Sequence, residues 1–380
     1  MKSRIVHIIT GLSVGGAERM LLKLLIELDH TRYSITVISL TSKGAIGNEI
    51  ESLGIPVLAL EMGRPITILH KFVFLIKQLR FLKPDLVHTW MYHANLIGGL
   101  AATFAGVDHI VWGIRQSNLS PDLNSKNTLR IVKICSWLST LLPEIILCNS
   151  KLALFNHKKI GYKSEKMTVI PNGFNLKEYC LNRSSRGKVY EELQLSENIL
   201  LVGMVARFDS QKNHRGFFEA AGIIHASRPD THFVLIGKNV DLNNDTLFNW
   251  AKENNVEEVV HFLGQREDIA HLLSALSVLV SSSHGESFPN VLGEAMSSGI
   301  PCVATDAGDC AEIIGDTGFV VNIGDMQSLA ESALSLLNMP TKMRMDLGGK
   351  ARNRIEQYYD ITHIVEEYDC LYRNMIGDIT

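Results

Sequence analysis

Two cationic side chains stand close together where a strongly apolar run of the sequence ends. Residues 199–205 predict a buried β-strand, and Arg207 and Lys212 follow it with four residues between them. Cations at the end of a strand can hold both phosphates of a diphosphate and neutralise the charge that grows on it as a leaving group. Taken singly, a structural arginine and a solvated lysine explain these residues equally well. Only their pairing at this place indicates a site.

A second segment, residues 281–296, combines a strand end, glycines, a proline and the two glutamates Glu286 and Glu294. Pro289 fits the first turn of a helix, so the loop before it would direct the backbone N–H groups of residues 287–292 toward an anion. Glu294 falls about one turn into that helix, near enough to meet a ribose. Glu286 lies in the loop and is placed to face a sugar, whose paired hydroxyls a carboxylate accepts well. Chance placement of two surface glutamates is the alternative explanation.

The first half of the chain holds weaker candidates, each at the end of a predicted strand. Gly15 and Gly16 belong to a glycine-rich turn before a helix, where backbone N–H groups can approach a phosphate. The spacing is not G-x-G-x-x-G and no acidic residue ends the second strand, so a dinucleotide site is poorly supported. A tight turn explains these glycines as well. His93, Asn95 and Arg115 follow two further strands and are candidates for binding an acceptor.

The elements that must position these residues are short apolar runs alternating with longer helical patterns. Continuous apolarity is typical of parallel strands covered on both faces, and the alternation predicts two successive doubly wound α/β units. The polar residues 175–196 predict the connection between domains, and residues 362–375 predict a closing helix. The predicted strands are residues 4–9, 35–40, 56–60, 85–89, 109–114, 145–148 and 168–170, followed by 199–205, 232–236, 259–263, 278–281, 301–304 and 318–321.

Composition and charge limit the class of protein. Of 380 residues, 46% are apolar and 20% charged, which is the balance of a globular protein with two or three domains. Residues 1–180 carry 21 Lys and Arg against 12 Asp and Glu, whereas residues 181–380 carry 16 against 28. The basic first half predicts an anionic partner, although two domains of unlike surface charge would give the same totals. The scattered cysteines, and the lack of a signal-peptide or transmembrane pattern, predict a cytoplasmic protein.

With these motifs assembled, the chain resembles the glycosyltransferases of family 4, a retaining family with the two-Rossmann GT-B fold. The segments that carry the resemblance are GGAE, VIPNGFN, VARFDSQKN, FVLIGKN, FLGQRED and HGESFPNVLGEAMSSGIPCVATDAGDCAEII. The pair Glu286 and Glu294, with seven residues between them, is the most specific of these signatures. The resemblance covers nearly the whole length. It implies an N-terminal acceptor domain over 1–178, a nucleotide-sugar domain over 179–360 and a helix over 361–380 that crosses back to the first domain.

The resemblance also implies roles for individual residues. Arg207 and Lys212 would hold the diphosphate, and with Glu286 on the donor sugar they form the catalytic set. Glu294 would hold the ribose, and no metal ligand is implied, in keeping with the lack of an Asp-x-Asp motif. Many members have a histidine where this chain has Arg115, so no catalytic histidine is carried over. The donor-binding set is completed by Gly15, Gly16, Gly237, Arg266, Ser287, Phe288, Pro289 and Asn290.

For function, the resemblance implies retaining transfer of a hexose or N-acetylhexosamine from a UDP-sugar to a saccharide or lipid-linked saccharide. The process served would be cell-surface polysaccharide or lipopolysaccharide assembly, with no cofactor and no nucleic-acid partner. The alternatives are a nucleotide-sugar epimerase of the same double-Rossmann fold, a non-catalytic nucleotide-sugar-binding subunit and, least supported, an NAD-dependent oxidoreductase. Residues 70–83 and 128–138 mix cations with bulky apolar residues, which predicts peripheral contact with an anionic membrane. For the first segment, an ordinary helix with solvated lysines is an equal explanation.

Overall fold

The chain folds into two compact α/β units. The computed structural model describes residues 2–63, 65–121, 124–180 and 183–377. One unit is Met1–Gly173 with Ile361–Thr380, and the other is Phe174–Asp360. Residues 181–182 of the predicted linker and residues 378–380 of the predicted closing segment lie outside the described range.

Each unit is built on one parallel sheet, which confirms the predicted fold class of two Rossmann-like parallel-sheet domains. The first sheet has the order β3-β2-β1-β4-β5-β6-β7 and the second the order β10-β9-β8-β11-β12-β13. Their strands are β1 Ser3–Ile9, β2 Tyr33–Ser39, β3 Val57–Ala59, β4 Leu86–Trp90, β5 His109–Ile114, β6 Ile145–Cys148, β7 Met167–Val169, β8 Leu200–Val205, β9 Thr231–Ile236, β10 Val260–Phe262, β11 Val278–Ser281, β12 Cys302–Thr305 and β13 Phe319–Val321.

Helices connect the strands and cover both faces of each sheet, as parallel strand connections require. No helix among the residues described is long and apolar enough to cross a membrane. The helices are α1 Gly16–Glu27, α2 Gly44–Ser52, α3 Pro65–Leu82, α4 Tyr92–Ala105, α5 Lys126–Leu138, α6 Lys151–Lys159, α7 Arg183–Glu192, α8 His214–Ser227, α9 Asp245–Glu253, α10 Ile269–Ala275, α11 Asn290–Ser297, α12 Cys310–Ile314, α13 Met326–Leu337, α14 Thr341–Tyr358 and α15 Ile361–Ile376.

The first sheet separates two hydrophobic cores, because successive strand residues point to opposite faces. In β1, Ile5 and Ile9 belong to the core that α1, α2 and α15 close, whereas Val6 and Ile8 belong to the core beneath α3 to α6. The last helix, α15, is therefore an integral part of the first unit although it follows the second unit in the chain.

One helix departs from the sequence prediction. The segment predicted as a linker contains α7, whose Val189 and Tyr190 are buried in a core of the second unit. The helix is strongly polar, with Val189 and Tyr190 as its only large apolar residues, so it lacks the periodic apolar stripe by which helices are recognised.

Candidate functional site

The second sheet places two loops side by side at its carboxyl edge. Strands β8 and β11 are neighbours, but the chain proceeds from β8 toward β9 and from β11 toward β12, in opposite directions across the sheet. At such a reversal the loops after the two strands diverge and leave a crevice in which ligands bind. Here these loops are residues 206–213 and residues 282–289, which contain half of the predicted donor-site residues, among them Arg207, Lys212 and Glu286.

The loop after β8 holds both predicted phosphate-binding cations. Arg207 donates from Nε and Nη2 to Oδ2 of Asp209 at 3.2 and 3.1 Å. The other carboxylate oxygen of Asp209 accepts from the backbone N–H of Gln211 at 2.9 Å and so caps the short 3₁₀ turn Ser210–Lys212. Burial opposes ionisation of Asp209, but the bond from Gln211 and the charge of Arg207 outweigh it and lower its pKa. Asp209 therefore positions Arg207 and the turn that carries Lys212.

The loop after β11 is bonded directly to the first loop. Glu286 Oε1 lies 2.5 Å from the Lys212 ammonium and accepts a second bond, of 2.8 Å, from the Ser283 hydroxyl. The backbone N–H of His284 donates to the Gln211 carbonyl at 2.7 Å. Both side chains of the ion pair are largely buried. The structure thus brings Arg207, Lys212 and Glu286 together, within one unit and on two joined loops.

Two glycines allow the backbone to come close behind these loops. A Cβ on Gly237, at the end of β9, would lie 2.1 Å from the carbonyl oxygen of Ala206. Gly308 has a left-handed φ of 65°, and a Cβ there would lie 2.6 Å from the carbonyl oxygen of Ser287. The same carbonyl accepts a bond from the backbone N–H of Asp309 at 3.1 Å. Gly237 is therefore a supporting residue of the site, and Gly308 is one that the sequence analysis did not single out.

The helix after the second loop begins one residue later than the sequence predicts. Pro289 is the N-cap of α11, Asn290 is its first residue and Glu294 lies one turn further along. Phe288 is buried and stacks on Phe174, with ring centroids 6.1 Å apart. The side chain of Phe288 therefore anchors the loop, and only its backbone is left for a ligand. Ser287 and Asn290 beside it are half-buried.

Arg266 belongs to the same unit but lies apart from this group. It follows β10, two strands from β8 in the sheet order, and its guanidinium is held by Asp268 at 2.8 Å and Glu192 at 2.5 Å. Hydrogen bonds to these two carboxylates raise the pKa of Arg266 further. Both partners fix the side chain in place and use four of its five N–H groups, so its predicted contact with the donor depends on the face of the guanidinium and on one N–H group of Nη1.

The predicted residues of the first unit lie at the carboxyl ends of β1, β4 and β5. Gly15 is the N-cap of α1 and Gly16 its first residue. The Glu18 side chain turns back over this end of the helix, and a Cβ on Gly15 would lie only 2.4 Å from its Oε2. Burial raises the pKa of the Glu18 carboxyl. His93 is half-buried in the first turn of α4, and burial lowers its pKa.

Asn95 and Arg115 have structural surroundings rather than an open binding surface. Asn95 is fully buried, accepts a bond from the Thr89 hydroxyl at 2.7 Å and donates to the Gly113 carbonyl at 3.1 Å. The expectation that Asn95 meets an acceptor is therefore corrected, because it presents no surface. Arg115 is half-buried and donates to Asn172 at 3.2 Å and to the Tyr368 hydroxyl of α15 at 3.1 Å.

The residues described include no group of three or more His, Cys, Asp or Glu side chains arranged to hold a metal ion. The groups that the site offers to a ligand are a pair of cations, two glutamates and the N-terminus of a helix. These groups suit a diphosphate linked to hydroxyl-rich groups.

Comparisons with known proteins cover both units. Residues 186–354 match the family described as glycosyl transferases group 1, and residues 14–178 match glycosyltransferase family 4. The chain is 25% identical to the UDP-Gal:alpha-D-GlcNAc-diphosphoundecaprenol alpha-1,3-galactosyltransferase of Escherichia coli, over 99% of this chain and 98% of that one. It is 26% identical to the N,N'-diacetylbacillosaminyl-diphospho-undecaprenol alpha-1,3-N-acetylgalactosaminyltransferase of Campylobacter jejuni, over 87% and 89% of the two chains.

Among solved structures, Anabaena HepE in complex with UDP and glucose superimposes with a TM-score of 0.84 at 22% identity. The superposition covers 98% of this chain and 100% of that one, and it shows a shared fold. Together the two matched regions extend over nearly the whole chain, one on each unit. The chain therefore belongs to the family 4 glycosyltransferases and has the GT-B fold.

Proposed function

We propose that the chain transfers a hexose or N-acetylhexosamine from a UDP-sugar, with retention of configuration, to a saccharide or lipid-linked saccharide acceptor. The observation that carries the proposal is the joining of Arg207, Lys212 and Glu286 on two loops at the reversal point of the second sheet. The names of the two curated relatives describe transfer to diphosphoundecaprenol-linked sugars, one of them from UDP-Gal, and support this substrate class. The process served would be assembly of a bacterial cell-surface polysaccharide or glycolipid.

The donor would change the partners of the ion pair. In this structure Lys212 and Glu286 neutralise each other at 2.5 Å. A bound UDP-sugar offers Lys212 a phosphate and offers Glu286 the hydroxyls of the sugar, so each group exchanges one charged partner for a ligand. Arg207, more exposed and already oriented by Asp209, would complete the clamp on the diphosphate. Both cations would then stabilise the negative charge that grows on the departing UDP.

Retention would follow from attack on the same face as departure. The bond between the anomeric carbon and the phosphate oxygen breaks while the acceptor oxygen bonds to that carbon, and the acceptor proton passes to the leaving phosphate. A covalent intermediate would need a carboxylate against the anomeric carbon. Glu286 is better suited to hold hydroxyls, because the Ser283 hydroxyl already occupies one side of its Oε1. Catalysis would consist of positioning and charge stabilisation, with no metal required.

The test is a thermal-shift and turnover screen with UDP-, GDP-, ADP- and TDP-sugars, in the presence and absence of EDTA. We expect one UDP-sugar to stabilise the protein and to be consumed at the same rate with EDTA. Arg207→Ala should lower kcat/KM by about 100-fold or more. Its melting temperature should stay close to that of the wild type, because an exposed ion pair contributes about 1 kcal/mol or less.

Arg215→Ala is the matched control for this screen. Arg215 lies on α8, is 66% exposed against 60% for Arg207, and is likewise paired with a carboxylate, that of Glu219. The control should keep full activity, and an equal loss in both variants would contradict the assignment of Arg207. Interconversion of UDP-sugars without any acceptor would favour the epimerase, and binding without turnover would favour a non-catalytic subunit. A cytoplasmic location of the protein, at the inner face of the membrane, stays a prediction.

A further inference from the structure

One face of the first unit is covered by helices that contain no acidic residue. The helices over the second core of that unit, α3, α4, α5 and α6, lack both Asp and Glu. The helices over the opposite face of the same sheet, α1, α2 and α15, carry Glu18, Glu27, Glu49, Glu51, Glu366, Glu367 and Asp369. The basic residues of the acid-free face are Lys71, Lys77, Arg80, Lys126, Arg130, Lys133, Lys151, Lys158 and Lys159.

The same face exposes bulky apolar side chains. Leu69, Phe81, Trp137 and Leu141 are 71% to 81% exposed, and they lie on or directly after α3 and α5. Among the residues described, Leu242 in the second unit, at 76%, is the only other large apolar side chain more than 70% exposed. On α5 and the turn after it, Arg130, Ile134, Trp137 and Leu141 follow one another at the spacing of a single helix face.

The helices form a continuous surface. Phe72 of α3 and Phe104 of α4 meet edge to face, with ring centroids 6.2 Å apart, and Arg80 donates to the Phe104 carbonyl at 2.8 Å. The Cys135 thiol of α5 donates to the backbone carbonyl of Tyr92, at the start of α4, at 3.7 Å. Cations from α3 and α5 therefore stand on one surface with the exposed apolar side chains. We name the outer surface of α3, α4 and α5, with Leu141, the basic face.

We propose that the basic face docks the protein on a bilayer that contains anionic phospholipid. Each Lys or Arg near such a surface contributes about 1 kcal/mol, and a tryptophan prefers the boundary between headgroups and acyl chains. Aliphatic side chains such as Leu69 and Leu141 gain by entering that boundary, whereas a nucleic acid would offer them nothing comparable. The projecting, acid-free surface also lacks the mixed charges with which protein partners are usually selected. Docking through the basic face requires no particular donor sugar.

The experiment is flotation of the full chain with vesicles of phosphatidylcholine alone or mixed with phosphatidylglycerol. We expect binding to the mixed vesicles, weakened by high salt, and little binding to phosphatidylcholine alone. Arg130→Glu with Lys133→Glu should lower the partition coefficient by more than about tenfold. Phe81→Ser with Trp137→Ser should lower it comparably, whereas the equally exposed Leu242→Ser in the second unit should leave it unchanged.

A spectroscopic readout identifies the surface that makes contact. Trp90 and Trp112 are fully buried, and Trp250 is half-buried in the second unit. A blue shift of tryptophan emission on vesicle binding should therefore come mainly from the exposed Trp137 and disappear in Trp137→Phe. The proposal is overturned if the wild type does not float with anionic vesicles, or if the basic-face variants float as well as the wild type. Salt-sensitive retention on nucleic acid combined with no flotation would also overturn it. The thermal shift that a UDP-sugar produces is also measured in every variant. This measurement tests the proposed function independently of membrane binding.

Discussion

At the scale of single residues, Asp209 is the group whose part in the site is least evident from its chemistry. A carboxylate between two cations that are proposed to bind phosphate would be expected to repel the ligand. Its two oxygens instead orient Arg207 and cap the turn that carries Lys212, so one side chain fixes the positions of both cations. The pair with Arg207 is exposed and contributes about 1 kcal/mol or less, whereas an N-cap contributes about 1 kcal/mol. We therefore expect Asp209 to act mainly by positioning the two cations and not by neutralising their charge.

Asp209→Ala is therefore expected to raise the KM for the donor by about tenfold, since it removes both interactions. Asp209→Asn keeps an oxygen for the cap and should stay within about twofold of the wild type. Initial rates at varied donor concentration, together with the dissociation constant of UDP, measure the effect. If the two variants lose affinity equally, the charge of Asp209 and not its cap is what matters, and the positioning role is wrong.

Arg115 poses a different question, because the sequence placed it at an acceptor site and the structure gives it three internal partners. Besides Asn172 and Tyr368, its guanidinium lies 4.3 Å from the ring centroid of Trp90. Arg115→Ala should lower the free energy of unfolding by about 2 kcal/mol, since bonds to charged groups contribute roughly 1.5–3 kcal/mol. Denaturant unfolding measures this, with the exposed Arg19→Ala of α1 as a control. An unchanged unfolding energy with a raised acceptor KM would restore the acceptor role.

His7 should make the stability of the fold depend on pH. It is fully buried in β1, and burial lowers its pKa from 6.5 to about 3. Between these values the unfolded chain binds a proton on His7 and the folded chain does not, so stability falls as the pH falls through this range. From pH 6.5 to 5 the loss should be about 1.6 kcal/mol for this group, since the slope starts at half of about 1.4 kcal/mol per pH unit and approaches that value as the unfolded histidine becomes fully protonated.

His7→Gln is the variant that isolates this effect. Glutamine does not titrate, and its carbonyl can still accept the bond that His7 Nδ1 receives from Trp90 Nε1 at 3.1 Å. The variant should therefore show a shallower loss of unfolding free energy between pH 6.5 and 5, measured by urea titration at several pH values. Equal slopes in the wild type and the variant would show that His7 takes up its proton in the folded state as well.

At the scale of elements, the strands were predictable and several side-chain environments were not. The run at 199–205 predicted β8 to within one residue, because a buried parallel strand must be apolar along its whole length. Pro289 likewise predicted the start of α11 to within one residue. Asn95 gave no such signal, since a polar residue after a strand looks the same in sequence whether it faces solvent or a buried hydroxyl such as that of Thr89.

In the candidate donor site, too, some features were predictable from the sequence and others were not. Arg207, Lys212 and Glu286 were predictable because they follow two strands whose carboxyl ends meet at one point of the sheet. The ion pair between Lys212 and Glu286 was not, because they are far apart in the chain and only the bonded loops bring them to 2.5 Å. Spacing along a sequence determines which loop carries a residue, whereas contact between loops depends on the tertiary structure.

At the scale of the whole molecule, one unit is formed by a single continuous segment of the chain and the other by two separate segments. The second unit, Phe174–Asp360, is continuous and contains every predicted donor-site residue except Gly15 and Gly16. The first unit needs α15, whose Ile364, Tyr368 and Tyr372 are buried in the core that α1 also closes. The Tyr372 hydroxyl lies 2.7 Å from His88 Nδ1 inside that core. The final helix therefore contributes to the stability of the unit that begins the chain.

Ending the chain after Asp360 tests this dependence. Loss of α15 uncovers the core of the first unit and leaves several large side chains without their cover, among them Tyr33, which packs on Tyr372, and Trp90, which packs on Tyr368. Removing one buried large apolar side chain costs about 2–5 kcal/mol, and α15 contributes several, so the first unit should unfold. The second unit keeps its whole sheet and its site, and should still bind UDP. Calorimetry and UDP titration of the shortened chain measure the two effects separately. If the shortened chain still shows two unfolding transitions, α15 is not needed for the first unit to fold. If the second unit stays folded but no longer binds UDP, the nucleotide site extends beyond the second unit.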